Sequence, residues 1–243
     1  MAERAAIVTG GSGGIGLAIA RALGEAGYAL TLSARRPEKL EQAVEELRAD
    51  GFELQTFAAN VANEEELVGV FSAHREKYGR LDALANNAGV GIGGLMDQIE
   101  TKHLDMQLAI NLRSLVIGTR EGLPMLREAG AEHRKALLLN TASIAGKGGQ
   151  AFLSVYAATK AAVINFTQST ARETTNAGIQ CTALAPGFVD TAMTDFIKGE
   201  VPAEGMIQPA DIGAAVTFLL ALSPNCHIPE IVFNRPGEGP DAP

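Results

Sequence analysis

Tryptophan is missing altogether, and the 243 residues include only two cysteines, three tyrosines and four histidines. Cys181 and Cys226 are too few and too far apart for a disulfide framework or a zinc site, and both are expected to be buried thiols. His74, His103, His133 and His227 fall in no metal-ligand spacing, so no metal is expected and all four are read as surface or loop residues. No apolar run approaches the roughly 18 residues of a membrane span. The opening MAERAAIVTGG lacks the apolar core of a secretory signal, so the expectation is a cytoplasmic protein without a membrane partner. Basic excess is absent too. A net charge of −8 leaves no electrostatic footprint for nucleic acid.

What is present is core and glycine: 47% hydrophobic residues and 27 glycines, with no Pro/Gly/Ser-rich run dividing the chain. One domain over residues 1–234 is expected, followed by a flexible tail over 235–243 rich in Pro, Gly and acid. Apolar runs of strand length alternate with helical patterns. Strands are predicted at 5–9, 28–33, 52–58, 81–86, 136–141, 179–184 and 228–233. Helices are predicted at 14–26, 37–50, 64–78, 101–111, 112–127, 155–176 and 210–222. This βαβα rhythm predicts an α/β fold, a Rossmann-like doubly wound parallel sheet of about seven strands with helices on both faces. Such sheets bind ligands at the carboxyl ends of their strands, so the loops there carry the search for function.

The first of those loops is Thr9-Gly10-Gly11-Ser12-Gly13-Gly14-Ile15-Gly16, lying between a strand and a helix. Glycines permit a tight turn and close approach to a pyrophosphate, which the free N–H groups of a helix start can bind. The same residues also fit G-x-S-x-G, the nucleophile elbow of serine hydrolases, which would make Ser12 the nucleophile. A glycine turn without a ligand is the third reading. A second G-x-G-x-x-G at Gly89, Gly91 and Gly94 opens no obvious helix and is read as a mobile loop.

After the second strand, an acid would bind the ribose hydroxyls of NAD. Here stand Ser33-Ala34-Arg35-Arg36. Guanidinium groups attract a 2′-phosphate and can bind it through two hydrogen bonds, so NADP is favoured, with NAD possible as a second cofactor. The competing reading is that both arginines are merely solvated.

Tyr156 and Lys160 are four apart at the start of a long helical pattern and share a face. A free phenol titrates at about 10. Bringing it to about 8 takes roughly 3 kcal/mol of differential stabilisation, which a nearby ammonium can supply in large part. Alone, Y-x-x-x-K is a weak signal. Ser143 after the fifth strand and Asn111 between two helical stretches strengthen it.

Taken together, Thr9-Gly-x-x-x-Gly-x-Gly16, Asn86-Asn87-Ala88-Gly89, Asn111, Ser143, Tyr156-x-x-x-Lys160 and Pro186-Gly187 stand in an order and spacing that resembles the short-chain dehydrogenase/reductase family. The resemblance implies that Ser143 holds the substrate oxygen and that Tyr156 exchanges its proton. It implies that Lys160 binds the nicotinamide ribose and lowers the tyrosine pKa, and that Asn111 holds a proton-relaying water. It places Gly10, Ser12, Gly13, Gly14, Ile15 and Gly16 at the cofactor, with Arg35, Arg36, Asn60, Val61, Asn87, Ala88 and Gly89 along its adenosine side. Pro186, Gly187, Val189 and Thr191 fall along the nicotinamide. Asn60-Val61 stands where many members carry Asp-Val. The C-terminal stretch lacks a glycine-rich ending common in tetrameric members, so a homodimer through the long helices is expected alongside a homotetramer.

Gln150, in the 148–153 loop between Ser143 and Tyr156, is expected to border the substrate, in a pocket more apolar than charged. Residues 191–208 are read either as a lid over an apolar substrate or as an ordinary surface helix. The expected activity is NADPH-dependent reduction of a small ketone, with 3-oxoacyl thioesters among the candidates, or the reverse alcohol oxidation. The alternatives are a non-catalytic nucleotide-binding sensor or scaffold, and the Ser12 hydrolase.

Overall fold

The computed structural model describes residues 3–237. The tail expected from 235 therefore lies outside the described residues from 238 onward. Seven parallel strands form one sheet: β1 (Ala5–Thr9), β2 (Ala29–Ala34), β3 (Leu54–Ala58), β4 (Ala83–Asn86), β5 (Ala136–Thr141), β6 (Ile179–Pro186) and β7 (Glu230–Phe233). Their order is β3-β2-β1-β4-β5-β6-β7. β1, β2 and β6 are buried along their whole lengths, as apolar runs covered on both faces must be. The edge strands β3 and β7 are only half-buried.

The helices are α1 (Gly14–Glu25), α2 (Pro37–Ala49), α3 (Glu64–Tyr78), α4 (Thr101–Gln107), α5 (Ser114–His133), α6 (Ser154–Thr174) and α7 (Pro209–Ala221). Ile19 and Leu23 of α1, Leu40 and Val44 of α2, and Ile212 and Val216 of α7 close one core with the sheet. Leu67 and Phe71 of α3, Leu126 of α5 and Ala171 of α6 close another. Burying one such side chain contributes roughly 1.5–3 kcal/mol, so the apolar stripes of α1, α2 and α3 suffice to fix those helices on the sheet.

Four differences from the sequence expectations have physical causes. Between α4 and α5 the backbone widens into a π-helical stretch, Leu108–Arg113, so the expected pair of helices is one continuous winding path. β6 runs two residues further, to Pro186, because β7 pairs Val232 and Phe233 against its end. His74 is fully buried rather than at the surface: Nε2 meets the Arg80 carbonyl at 2.8 Å and Nδ1 the Thr31 hydroxyl at 2.7 Å. Gln55 Nε2 donates to that same hydroxyl oxygen, so Thr31 donates to Nδ1 and the Nε2–H donates to Arg80. Cys181 is buried as expected, but Cys226 is exposed, on the loop before β7.

β1 lies between β2 and β4, and the chain's winding reverses there. The loops that leave β1 and β4 therefore splay apart and leave a crevice at the carboxyl edge, where ligands bind in such sheets.

Candidate active site

The crevice begins at the glycine loop. Gly10 sits at φ +70°, which lets the loop turn back on β1. A Cβ on Gly16 would stand inside contact distance of the Gly10 carbonyl oxygen and 2.7 Å from Asn87 Nδ2, so only glycine allows α1 to start this close to the loop. The start of α1 has no side-chain cap and no acid in its first turn. By contrast, α3 is capped by Asn63 and carries three glutamates in its first turn, and α7 has a capping box of Gln208 and Asp211. Free N–H groups and the positive end of the helix dipole are thus left at α1 alone of these three, which suits a pyrophosphate. Thr191 packs on the same loop, its Cγ2 2.8 Å from where a Gly14 Cβ would be, so the segment after β6 reaches the phosphate cradle.

Arg35 and Arg36 follow β2 on the exposed rim, and neither side chain forms an ion pair or hydrogen bond among the described residues. Just before them the buried Ser33 hydroxyl has no partner, while its carbonyl accepts from Gly11 N–H at 3.0 Å. A nucleotide with a 2′-phosphate fits this set: uncapped N–H groups, a glycine cradle, and two free guanidinium groups beyond it. Asn60, by contrast, is spent on its own turn, its Oδ1 accepting from Ala62 N–H, and Val61 is part of the core.

A polar path then crosses the strand ends. Thr9 Oγ1 accepts from the N–H groups of Asn87 and Ala88. Asn87 Nδ2 donates to the carbonyls of Thr9 and Gly10, at 3.1 and 3.3 Å, and its Oδ1 accepts from Thr141 Oγ1 at 3.1 Å. Lys160 Nζ donates to the Thr141 carbonyl at 2.7 Å and lies 5.7 Å from the Tyr156 ring centre. Gly89 faces Lys160, with Nζ 3.5 Å from where its Cβ would be. Ser143, at the end of β5, accepts from Ala145 N–H and donates to the Pro186 carbonyl at 3.3 Å. Gly187 is anchored by its N–H to the Phe233 carbonyl, and buried Val189 bridges to Ile207.

Burial pushes the Tyr156 phenol above its ordinary value, and the Ser143 hydroxyl beside it pulls partly the other way. Burial brings the Lys160 ammonium down to about 8. The low tyrosine pKa expected from sequence is therefore not a property of the protein alone: desolvation outweighs the hydrogen bond. Without a further positive charge, Tyr156 keeps its proton at neutral pH.

Asn111 lies in the π-helical stretch and is buried. Such stretches recur at functional sites. Both its amide hydrogens are spent, on the Val90 carbonyl at 2.9 Å and Thr159 Oγ1 at 3.1 Å, and Oδ1 accepts from Val90 N–H at 2.8 Å. One turn earlier, Gln107 Oε1 accepts from Ile92 N–H, and its buried Nε2 has no partner. Gly94 N–H donates to the Phe152 carbonyl at 2.8 Å. The 89–94 loop, expected to be mobile, is thus pinned at three places.

Gln107 is not singled out by sequence, whereas Phe152 lies in the 148–153 loop, read there as bordering the substrate, and Met193 in the 191–208 stretch, read as a lid or a surface helix. All three reach the site only through these long-range contacts, and the unusual φ of +70° at Phe152 leaves no sequence signature. Gly91 packs against Tyr156 and Met193, at 3.7 and 3.9 Å from where its Cβ would be. Gln150 lines a hollow with Ala145, Ser154 and Ala157. Residues 191–208 form no surface α-helix. They make two short 3₁₀ turns, Asp195–Ile197 and Ala203–Gly205. Ser12 of the hydrolase reading has no hydrogen bond to a histidine among the described residues: His74, His133 and His227 are bonded to Thr31, Arg80 and the Cys181 carbonyl.

A family model described as short chain dehydrogenase matches residues 4–201. The chain is similar to a Staphylococcus aureus (strain Mu50) protein named 3-oxoacyl-[acyl-carrier-protein] reductase FabG, 35% identical over 226 residues, 89% of this chain and 90% of that protein. Among solved structures it is similar to an alcohol dehydrogenase of the archaeon Thermococcus sibiricus complexed with 5-hydroxy-NADP. The two are 28% identical with a TM-score of 0.88, covering 98% of this chain and 99% of that one. It is also similar to a variant of the actinorhodin polyketide ketoreductase with NADPH, 29% identical with a TM-score of 0.85, covering 96% and 97%.

Proposed function

The chain belongs to the short chain dehydrogenase family and is an NAD(P)-dependent oxidoreductase, and on that premise we propose that it reduces ketones with NADPH. The observation that carries this reading is buried Tyr156 beside the Ser143 hydroxyl, with Lys160 Nζ 5.7 Å from its ring centre, at the edge where uncapped α1 begins. The bound nicotinamide supplies the hydride in reduction and takes it in oxidation. Ser143 and Tyr156 hold the substrate oxygen, and Tyr156 gives its proton to that oxygen as it becomes an alcohol. Lys160 has donors left beyond the one on Thr141, which suit a ribose hydroxyl, and its ammonium stabilises the phenolate left behind. Asn111 positions the 89–94 loop and Thr159, and a lone pair on Oδ1 is left to accept from a relaying water.

Arg35 and Arg36, their side chains free of protein partners among the described residues, favour NADPH over NADH, in line with the NADP and NADPH in the titles of the solved relatives. The reductase named for Staphylococcus aureus makes 3-oxoacyl thioesters one candidate class among ketones. Residues 1–234 are read as one unit for cofactor and chemistry. Exposed Leu108 and Val116 border a shallow hollow of about 460 Å³ on the α5 side, and a homodimer or homotetramer through this face is the assembly they support. None of the described helices is long and apolar enough to cross a membrane, and a cytoplasmic location is retained as part of the reading.

The test is Tyr156→Phe. The phenyl ring keeps the packing and removes the proton, so ketone reduction is expected to fall by at least about a thousandfold while NADPH binding, read by calorimetry, stays within about twofold. Turnover within tenfold of the parent would falsify the assignment of Tyr156 as acid.

A further inference from the structure

Of the ten large hydrophobic residues that stand exposed among the described residues, five cluster by segment: Leu95, Met96, Phe152, Met193 and Phe196. Their segments meet at the reacting group. A Cβ on Gly91 would meet both Tyr156 and Met193, a Cβ on Gly93 would run into the Phe152 ring, and Leu95 and Met96 follow directly after Gly94. Phe196, 77% exposed, lies one short turn beyond Met193. An apolar surface of this kind beside a proton donor is a binding wall rather than a random exposure.

The charge around this wall is predominantly negative. Residues 89–100, 147–155 and 188–208 carry six carboxylates and two lysines, a net −4, half the charge of the whole chain. Neither lysine is free: Lys147 is held by Glu230, and Lys198 by Asp190 and Asp195 at 2.9 and 2.8 Å. Lys102, next to the first segment, is held by Glu100. Arg235 lies over the Phe188 ring. Asp97, Glu200 and Glu204 form no ion pair among the described residues.

From this we infer that the ketone is uncharged and apolar, and that it reaches Tyr156 free, not on a phosphopantetheine arm. The inference rests on the reductase reading above. A phosphate brought to within about 10 Å of these three unpaired carboxylates would meet repulsion equivalent to roughly a tenfold loss of encounter at low salt. The guanidinium groups that welcome a phosphate, Arg35 and Arg36, sit at the end of β2, on the nucleotide side of the crevice.

The test presents one acyl group, 3-oxohexanoyl, on three handles: the neutral N-acetylcysteamine thioester, the coenzyme A thioester and an acyl carrier protein thioester. The reacting carbonyl is the same, so differences in kcat/KM report the handle. At about 20 mM salt the neutral thioester is expected to lead by at least tenfold, and the gap should shrink severalfold at about 300 mM as screening shortens. In Phe196→Ala, KM for the neutral thioester should rise at least fivefold, more than kcat falls. Equal or better use of either charged handle overturns the inference and leaves the reductase reading intact. So does an unchanged KM in the variant, or a loss of self-association there with KM unchanged, which would seat a second copy on the wall. Absence of NADPH oxidation with all three handles overturns both readings.

Discussion

Acidification should loosen this protein through one residue that takes no part in its chemistry. His74 is sealed between β2 and α3, with Thr31 on Nδ1, the Arg80 carbonyl on Nε2 and the Tyr78 ring edge-on at 5.2 Å. Burial brings its pKa down to about 4, with the Arg80 carbonyl and the negative charge of Asp82 opposing. The unfolded chain titrates it at about 6.5. Between those values the unfolded state binds the extra proton, so stability is full above the upper one and is lost as pH falls toward the lower. The whole loss is about 3 kcal/mol, and about 1 kcal/mol of it falls between pH 7.5 and pH 5.5. That window stays above the sequence pI of about 5.1, where the chain loses its net charge. Urea melts followed by circular dichroism would read it, since no tryptophan is available. The signal is read as a difference against a variant that cannot titrate at this position. His74→Gln keeps a donor for Arg80 and an acceptor for Thr31 but cannot titrate. It is expected to lose about 1 kcal/mol less than the parent over the window. Equal losses would refute the idea that the buried imidazole is neutral.

Four further outcomes follow from the site and its frame. Gly16→Ala drives a methyl into the Gly10 carbonyl, so NADPH affinity should drop at least about tenfold by calorimetry; unchanged affinity would remove the cradle. Arg35→Ala should weaken NADPH about tenfold more than NADH, and equal effects would end the case for a 2′-phosphate site. Lys135 Nζ donates to the carbonyls of Leu219, Leu220 and Leu222 at the end of α7, so Lys135→Met should cost about 2 kcal/mol in urea unfolding; a cost under about 0.5 would show these contacts to be solvent-exchangeable. Finally, the Lys160 ammonium is lost as pH rises through about 8, so kcat/KM for ketone reduction should fall above that point, and a profile still level at about pH 10 would exclude the lysine from the step.

Most of the frame could be read in the chain because the pattern there is local. Fully apolar strands and stripes such as Leu40, Val44 and Leu47 encode their own partners by period alone. Glycine loop, Ser143, Tyr156 and Lys160 were legible for a related reason: each sits at a fixed offset from a strand end or along one helix face. The features that escaped depend on contacts between distant segments. Nothing in residues 89–94 announces that Asn111, Gln107 and Phe152 will hold them, and no local pattern distinguishes the π-helical Leu108–Arg113 from an ordinary helix. His74 was misplaced because one polar residue on an amphipathic helix looks the same whether it faces water or Thr31. The raised pKa of the Tyr156 phenol without cofactor is not legible because desolvation is a property of the assembled site, which spacing does not reveal.

The stitched path from Gly10 through Asn87 and Thr141 to Lys160 also divides the molecule into parts that can and cannot be retrofitted. Every group along it is hydrogen-bonded to its neighbour, so the glycine loop and Lys160 are a single fixture, and altering one member is expected to disturb the alignment of the rest. Arg35 and Arg36 hang outside that fixture, on the open end of β2. On the proposed reading, nucleotide preference is an interchangeable fitting: an acidic residue placed at either position should retune the chain toward NADH without touching Tyr156, Ser143 or Lys160.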